Sequence, residues 1–389
     1  MCSSDLRLAR SVIILDEAQT LPVNLLKPCL RVLRELKENY GASVVLCTAT
    51  QPEIRHRDDF DIGLRDVHEI VPDPGALYER LRRVELHDLG VVPDAGLAAR
   101  LKDATRALCV LNTTRHARAL FAAVGPADGH FHLSARMCPA HRRMVLREIH
   151  KRLASPDAVC RVVSTQVVEA GVDLDFPVVY RALAGLDSIV QAAGRCNRNG
   201  RLAQRGAIYV FRTEHAAANR YFAETANCAA QVIARHPDDP LCLAAVERYF
   251  RLYYRDQKAR WDEGDVLGQL HLDGAKDSPL PFNFGFATVA ERFRMIDDAA
   301  QRTVIVPWEK EGRALCAKLR ATPAPDREAL REAQRYSVQI RSLEWGRAVD
   351  QGDIRLLFDN LGIMESADAY YDPQTGLDFG AEGPSVYFA

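Results

Sequence analysis

The run Arg161-Val162-Val163-Ser164-Thr165-Gln166-Val167-Val168-Glu169-Ala170-Gly171-Val172-Asp173-Leu174-Asp175 decides the fold. With Cys160 it opens as a short apolar strand and passes directly into threonine, amide, glycine and carboxylate side chains. That is how a buried parallel strand reads when it releases polar groups at its C-terminal edge, where open α/β sheets bind ligands. A second strand is predicted at Val178 to Ala182, followed by Gln191-Ala192-Ala193-Gly194-Arg195-Cys196-Asn197-Arg198. If Ser188 to Arg198 is one helix, Arg195 and Arg198 project from the same face. A guanidinium pair there suits a terminal phosphate; a solvated basic helix end is the alternative.

The same grammar recurs towards the N-terminus. Ser11-Val12-Ile13-Ile14-Leu15 is a continuous apolar run ending in Asp16-Glu17-Ala18-Gln19. In a nucleoside triphosphatase the first carboxylate holds magnesium and the second polarises the attacking water; an acidic helix start is the plainer reading. A helix is predicted over Pro22 to Tyr40 with Gly41 at its end. The strand Ser43 to Cys47 then delivers Thr48-Ala49-Thr50.

Between these regions, Phe60 to Leu97 is charged and proline-bearing and reads as an irregular bridge. Its His87-Asp88 pair resembles a metal dyad but lacks convergent partners, so a structural role is expected. Alternation resumes with the strand Ala107 to Leu111, the polar turn Asn112-Thr113-Thr114 and the helix Arg115 to Val124. The strand His130 to Ser134 follows, then a helix opening near Pro139. Val145, Ile149 and Leu153 form its core stripe, while Arg142, Arg143, Arg147, Lys151 and Arg152 lie largely off it. A solvated face and a contact to a nucleic-acid backbone are both open for these cations. A last strand, Ala207 to Phe211, completes a doubly wound domain of β-α-β units.

Beyond Thr213 the pattern turns mainly helical, over Glu214 to His236 and Leu241 to Gln269. Tyr249, Phe250, Tyr253, Tyr254 and Trp261 there read as core. Phe282, Phe284, Phe286 and Phe293 follow. Strands are expected at Thr303 to Val306 and Tyr336 to Ile340, and short helices at Arg313 to Leu319 and Asp326 to Gln334. The tail is turn-rich.

The 389 residues suggest two or three domains, and 48% hydrophobic with 26% charged residues is the balance of a soluble globular protein. No apolar run reaches membrane length and no signal-peptide core is present, so a cytoplasmic location is expected. A formal net charge of −1 gives no global pull towards nucleic acid. The ten cysteines stand without a C-x-x-C pair, which argues for reduced core residues rather than disulfides or a zinc site.

Asp16-Glu17-Ala18-Gln19, Thr48-Ala49-Thr50, Asn112-Thr113, Thr165 to Asp173 and Gln191 to Arg198 are similar, in order and kind, to the later motifs of superfamily 2 helicases. The flanking residues narrow this. Leu46-Cys47-Thr48-Ala49-Thr50-Gln51-Pro52, Leu133 to Arg142 and Gln191 to Gly200 resemble the helicase half of the CRISPR-associated helicase–nuclease that the Cascade complex recruits in type I systems.

The resemblance implies an α/β protein with two RecA-like lobes, ATP and magnesium between them, and single-stranded DNA crossing in the 3′-to-5′ direction. It implies domains at 1–60 (end of the first lobe), 61–97 (connection), 98–213 (second lobe) and 214–389 (mainly helical linker and accessory domain). By the same resemblance Asp16 binds magnesium, Glu17 is the general base, and Gln19 couples hydrolysis to movement with Thr48 and Thr50. Arg195 and Arg198 are arginine fingers. Gly171, Asp173 and Gln191 contact the nucleotide, and Asn112, Thr113, Thr165 and Gln166 contact DNA phosphates. Single-stranded DNA and Cascade are the implied partners. The sequence has no G-x-x-x-x-G-K-[ST] and no nuclease ligand cluster, so it is expected to be an N-terminally truncated form whose residues Met1 to Asp5 need not be native. Two expectations follow: a motor half active when its missing part is supplied, or an inactive fragment that only binds DNA or Cascade.

Overall fold

The computed structural model describes residues 8–215, 217, 219–270, 285–295, 301–322, 327–358 and 360–380. They fall into two compact units, one formed by the described residues within 8–81 and 228–295, the other by those within 82–227 and 301–380.

In the first unit, β1 (Val12–Asp16) lies parallel to β2 (Ser43–Cys47), with Asp16 opposite Cys47. The helix Leu26–Glu38 joins them and buries Leu26, Leu30 and Leu33. Phe60 is fully enclosed, stacked on Tyr254 at 5.5 Å and edge-on to Trp261 at 4.9 Å. The aromatics of the helix Leu243–Asp256 are thus core, their rings filling the interior rather than offering a flat exposed platform.

The second unit is built on a six-stranded, all-parallel sheet. Its strands are β3 (Val84–Val91), β4 (Arg106–Val110), β5 (His130–Leu133), β6 (Cys160–Ser164), β7 (Val178–Ala182) and β8 (Gly206–Arg212), in the order β3-β8-β7-β4-β6-β5. Both faces are covered, so β4, β6 and β7 are almost wholly buried and read as mainly apolar runs, each with one arginine. Val163, Tyr180, Phe211, Leu120 and Phe121 share one core. Thr113 caps the helix Thr114–Val124 by accepting from His116 N at 3.1 Å, and Pro139 opens the helix Pro139–Ala154.

Two expectations change here, and the structural role expected for His87-Asp88 is met. The stretch predicted as an irregular bridge supplies the helix Pro74–Leu81 and the edge strand β3. His87 packs against the Tyr209 ring and Asp88 pairs with Arg212 at 3.1 Å, so both have structural partners. The region expected to be mainly helical holds a sheet in which β9 (Gln301–Ile305) and β10 (Ser337–Arg341) stand where strands were expected, joined by the unexpected β11 (Ile354–Phe358) and β12 (Leu361–Met364) in the order β10-β9-β12-β11. Phe282, Phe284, Asp326 and Met1 to Asp5 lie outside the described residues.

This C-terminal part is fastened to the six-stranded part of the same unit. Arg136 donates from both terminal nitrogens to the two carboxylate oxygens of Glu344, each at 2.8 Å, with both side chains buried. The Leu377 amide donates to the Arg136 carbonyl at 2.8 Å. Tyr371 Oη accepts from the Cys138 amide at 3.0 Å, and His141 stacks on Trp308 at 4.0 Å.

Candidate functional site

At the end of β1 the chain turns abruptly: Glu17 adopts a left-handed conformation (φ 53°, ψ 45°) and its carbonyl receives Thr20 N at 2.9 Å. For a non-glycine residue this backbone is strained, and such strain collects at functional turns. The turn leaves Asp16 exposed and Glu17 half-buried, and sends Gln19 inward to 7% exposure. Gln19 Nε2 donates to Glu17 Oε2, and Thr48 Oγ1 at the end of β2 meets Gln19 Oε1. The Thr50 amide donates to Thr48 Oγ1 at 3.1 Å. Glu17, Gln19, Thr48 and Thr50 therefore form one chain of polar contacts across two adjacent strand ends.

In the second unit the polar turns after β4 and β6 carry Asn112, Thr113, Thr165 and Gln166. Asn112 is held at both ends of its amide, donating to the Leu183 carbonyl at 2.8 Å and accepting from Arg181 Nη1 at 2.6 Å. Thr165 Oγ1 and both amide atoms of Gln166 are buried without a hydrogen-bond partner among the described residues. A buried polar group left unpaired costs about 1–3 kcal/mol, so a ligand that satisfies these atoms gains that energy.

The arginines are not where helical spacing puts them. The helix Leu186–Ala193 stops at Gly194, and Asn197 then takes a positive φ of 47°. Arg195 and Arg198 consequently leave the helix and diverge. Arg195 is buried, donating to the Val168 carbonyl at 2.7 Å and to that of Glu169. Arg198 is exposed and pairs with Asp173 Oδ1 at 2.7 Å. Its amide donates to Asp175 Oδ1 at 2.8 Å. Gly171, at φ +68°, has open space where a side chain would stand, and Gln191 lies on the last turn of the helix.

Beneath these loops lies a network that sequence patterns miss. Arg181 is fully buried as the penultimate residue of the otherwise apolar strand β7, 2.9 Å from Glu169 Oε1, with Nη2 donating to Ser188 Oγ at 2.8 Å. Ser188 donates in turn to Glu169 Oε2 at 2.7 Å. The Arg181 Nε hydrogen is not aimed at Glu169 Oε1, so this contact is an ion pair rather than a hydrogen bond. Burial raises the Glu169 carboxyl above its ordinary range, against the pull of Arg181 and Ser188. The turn after β4, the loop after β6 and the helix Leu186–Ala193 are thereby locked to one another through β7. A charge inside an apolar strand was the only available signal.

Residues 103–201 match the family model for the C-terminal part of the CRISPR-associated nuclease/helicase Cas3. That match contains every candidate residue of the second unit. The chain thus bears a likeness to Cas3 helicase-type proteins, carried by this segment. It is 49% identical over 67 residues to the Cas3 of Haloferax volcanii, covering 17% of this chain and 7% of that protein. Against Methanothermobacter thermautotrophicus Cas3 it is 25% identical over 198 residues, covering 48% and 24%. The crystal structure of T. fusca Cas3-AMPPNP superposes with a TM-score of 0.64 at 15% identity, over 96% of this chain and 54% of that one. A chain in the solved CRISPR RNA-guided surveillance complex, pre-nicking, gives 0.54 at 15% identity, over 94% and 56%. The chain thus spans about half the length of those solved chains, and its two parallel sheets have the fold of RecA-like lobes. Among the described residues, no helix is long and apolar enough to cross a membrane.

Proposed function

We propose that the chain supplies motor elements of an ATP-dependent translocase that moves 3′-to-5′ on single-stranded DNA and unwinds invader DNA in type I CRISPR interference, in the cytoplasm and in contact with Cascade. The observation that carries this reading is the strand-end row of Asn112, Thr113, Thr165 and Gln166, in which Thr165 and Gln166 hold buried polar atoms awaiting partners. Hydroxyls and amides of this kind suit phosphate oxygens and carry no sequence preference. The family match, the likeness to T. fusca Cas3-AMPPNP and the likeness to a chain in a CRISPR RNA-guided surveillance complex support it.

In this reading Glu17 takes a proton from the attacking water, Gln19 with Thr48 and Thr50 reports the nucleotide state to the strand ends, and Gly171, Asp173 and Gln191 contact the nucleotide. Arg198 answers the charge on the transferred phosphoryl group once it leaves Asp173, while Arg195 holds the Val168–Glu169 turn in place until it does the same. An exposed strand-end carboxylate beside a second one is the donor set that magnesium accepts alongside waters and phosphates, so Asp16 fits that ion. Magnesium would neutralise triphosphate charge there.

The test is steady-state ATP hydrolysis with saturating single-stranded DNA, on the chain combined with a polypeptide that supplies a phosphate loop. Arg198→Ala should lower turnover by ~10³ while DNA affinity and melting temperature stay close to wild type. Lysine should not restore it, because an ammonium lacks the planar fork. Near-normal turnover in Arg198→Ala, or turnover indifferent to DNA, overturns the reading.

A further inference from the structure

Three strand ends of the six-stranded sheet bring together Asp94, His116 and His215, none of which serves the motor reading. Asp94 opens the helix Asp94–Asp103 after β3, His116 sits in the first turn of Thr114–Val124 after β4, and His215 follows β8. His116 Nε2 lies 2.7 Å from Asp94 Oδ1 and His215 Nε2 lies 2.8 Å from Asp94 Oδ2. The two imidazoles stand face to face, with ring centres 4.0 Å apart and planes inclined by 34°. One ligand atom from each of the three residues lies within 4.8 Å of the others. The His116 side chain is 4% exposed, Asp94 21% and His215 38%, so the cluster is walled on one side and open to solvent on the other.

We propose that Asp94, His116 and His215 form a binding site for a first-row divalent transition-metal ion of the zinc class, with water as fourth ligand. Two imidazole nitrogens and one carboxylate suit zinc, cobalt or nickel, whereas magnesium and calcium require mainly oxygen donors. At metal–ligand bonds near 2.0–2.2 Å, neighbouring donors of a tetrahedral ion lie roughly 3.3 Å apart. The two short Asp94–histidine contacts therefore open by about half an ångström on binding, which the exposed His215 allows. Each imidazole then carries its proton on Nδ1 and presents Nε2 to the ion.

The ion would tie the ends of β3, β4 and β8 together. It would also stiffen the turn at Asn112 and Thr113, since the Thr113 hydroxyl accepts from the amide of the ligand His116 at 3.1 Å. Only this last consequence rests on the DNA reading; ion binding does not.

Titration of the full chain with Co²⁺, read by visible absorption and by metal content after gel filtration, tests the site. One equivalent should bind, with the d–d absorption of a four-coordinate ion and no near-ultraviolet sulfur charge-transfer band. His215→Ala, a change at an exposed residue, and Asp94→Asn should each weaken affinity at least about tenfold, as loss of a direct ligand must exceed the usual cost of losing its supporting partners. Thermal melting without metal shows that each variant is folded. No stoichiometric binding, a sulfur band that marks a cysteine site, or binding unchanged in His215→Ala overturns the proposal, whatever the outcome of the ATP hydrolysis assay.

Discussion

Arg181 and Glu169 show how much a single pair of side chains settles in this protein. Both are buried, and each remains tolerable only because the other is present. Arg181→Met leaves a carboxylate enclosed without its cation and should cost about 3–5 kcal/mol, measured by chemical denaturation. The double change with Glu169→Gln should recover part of that loss; equal instability of the single and double variants would show that the pair is not coupled. Two histidines carry an acid liability. His132 is fully enclosed, with neither ring nitrogen hydrogen-bonded among the described residues, and burial depresses it to about 3. His141, stacked on Trp308, is lowered by burial to about 4. Both are neutral in the fold, while in the unfolded chain they take up protons below about pH 6.5. Their contribution to stability is therefore complete above pH 6.5 and is lost as pH falls from there towards the folded values. At pH 5 each costs about 2 kcal/mol. Denaturation midpoints at pH 7 and pH 5 check this, and His132→Leu should flatten the slope.

Among the elements, the short hairpin at Tyr371–Asp372 and Gly376–Leu377 carries more than its length suggests. Gly376 has φ +82°, and a Cβ there would stand 2.4 Å from the Arg136 carbonyl oxygen. Gly376→Ala must move the backbone at Arg136 and should cost about 1–3 kcal/mol, with a lower melting temperature as the readout. A melting curve identical to wild type would mean that the hairpin does not brace Arg136. Nothing in the turn-rich tail betrays this, because the partner lies far back in the chain. The buried strands β4, β6 and β7 were legible, since strands covered on both faces read as apolar runs. β11 and β12 were not: Arg355 and Leu356 are exposed, and the short strands have no clear period. Gly194, a helix-stop signal, stood in plain view before Arg195, yet three-residue spacing invited a continuous helix. The Asp16–Gln19 and Thr165–Asp173 turns were legible as polar turns at strand ends. The Arg181–Glu169–Ser188 linkage and the Asp94–His116–His215 cluster were not, because they depend on which strand ends are neighbours.

At the scale of the whole molecule, order is unevenly distributed. β1 and β2 pair only with each other among the described residues, and Val12 and Ile14 are 65% and 64% exposed. Two strands alone are marginal in water. Amides of 12–16 and 43–47 should therefore exchange with deuterium far sooner than those of β4, β6 and β7, as mass spectrometry of peptic fragments would show. Comparable protection in both sets would refute this. The Arg118 guanidinium, which donates to the Leu377 carbonyl, points to a different kind of consequence, since these partners stand 259 residues apart. At roughly 5–20 residues per second, a ribosome needs roughly ten to fifty seconds to deliver the second after the first. Throughout that interval the face of the six-stranded domain that later receives the C-terminal strands is uncovered, so the demand this protein makes on chaperones is set by its translation time.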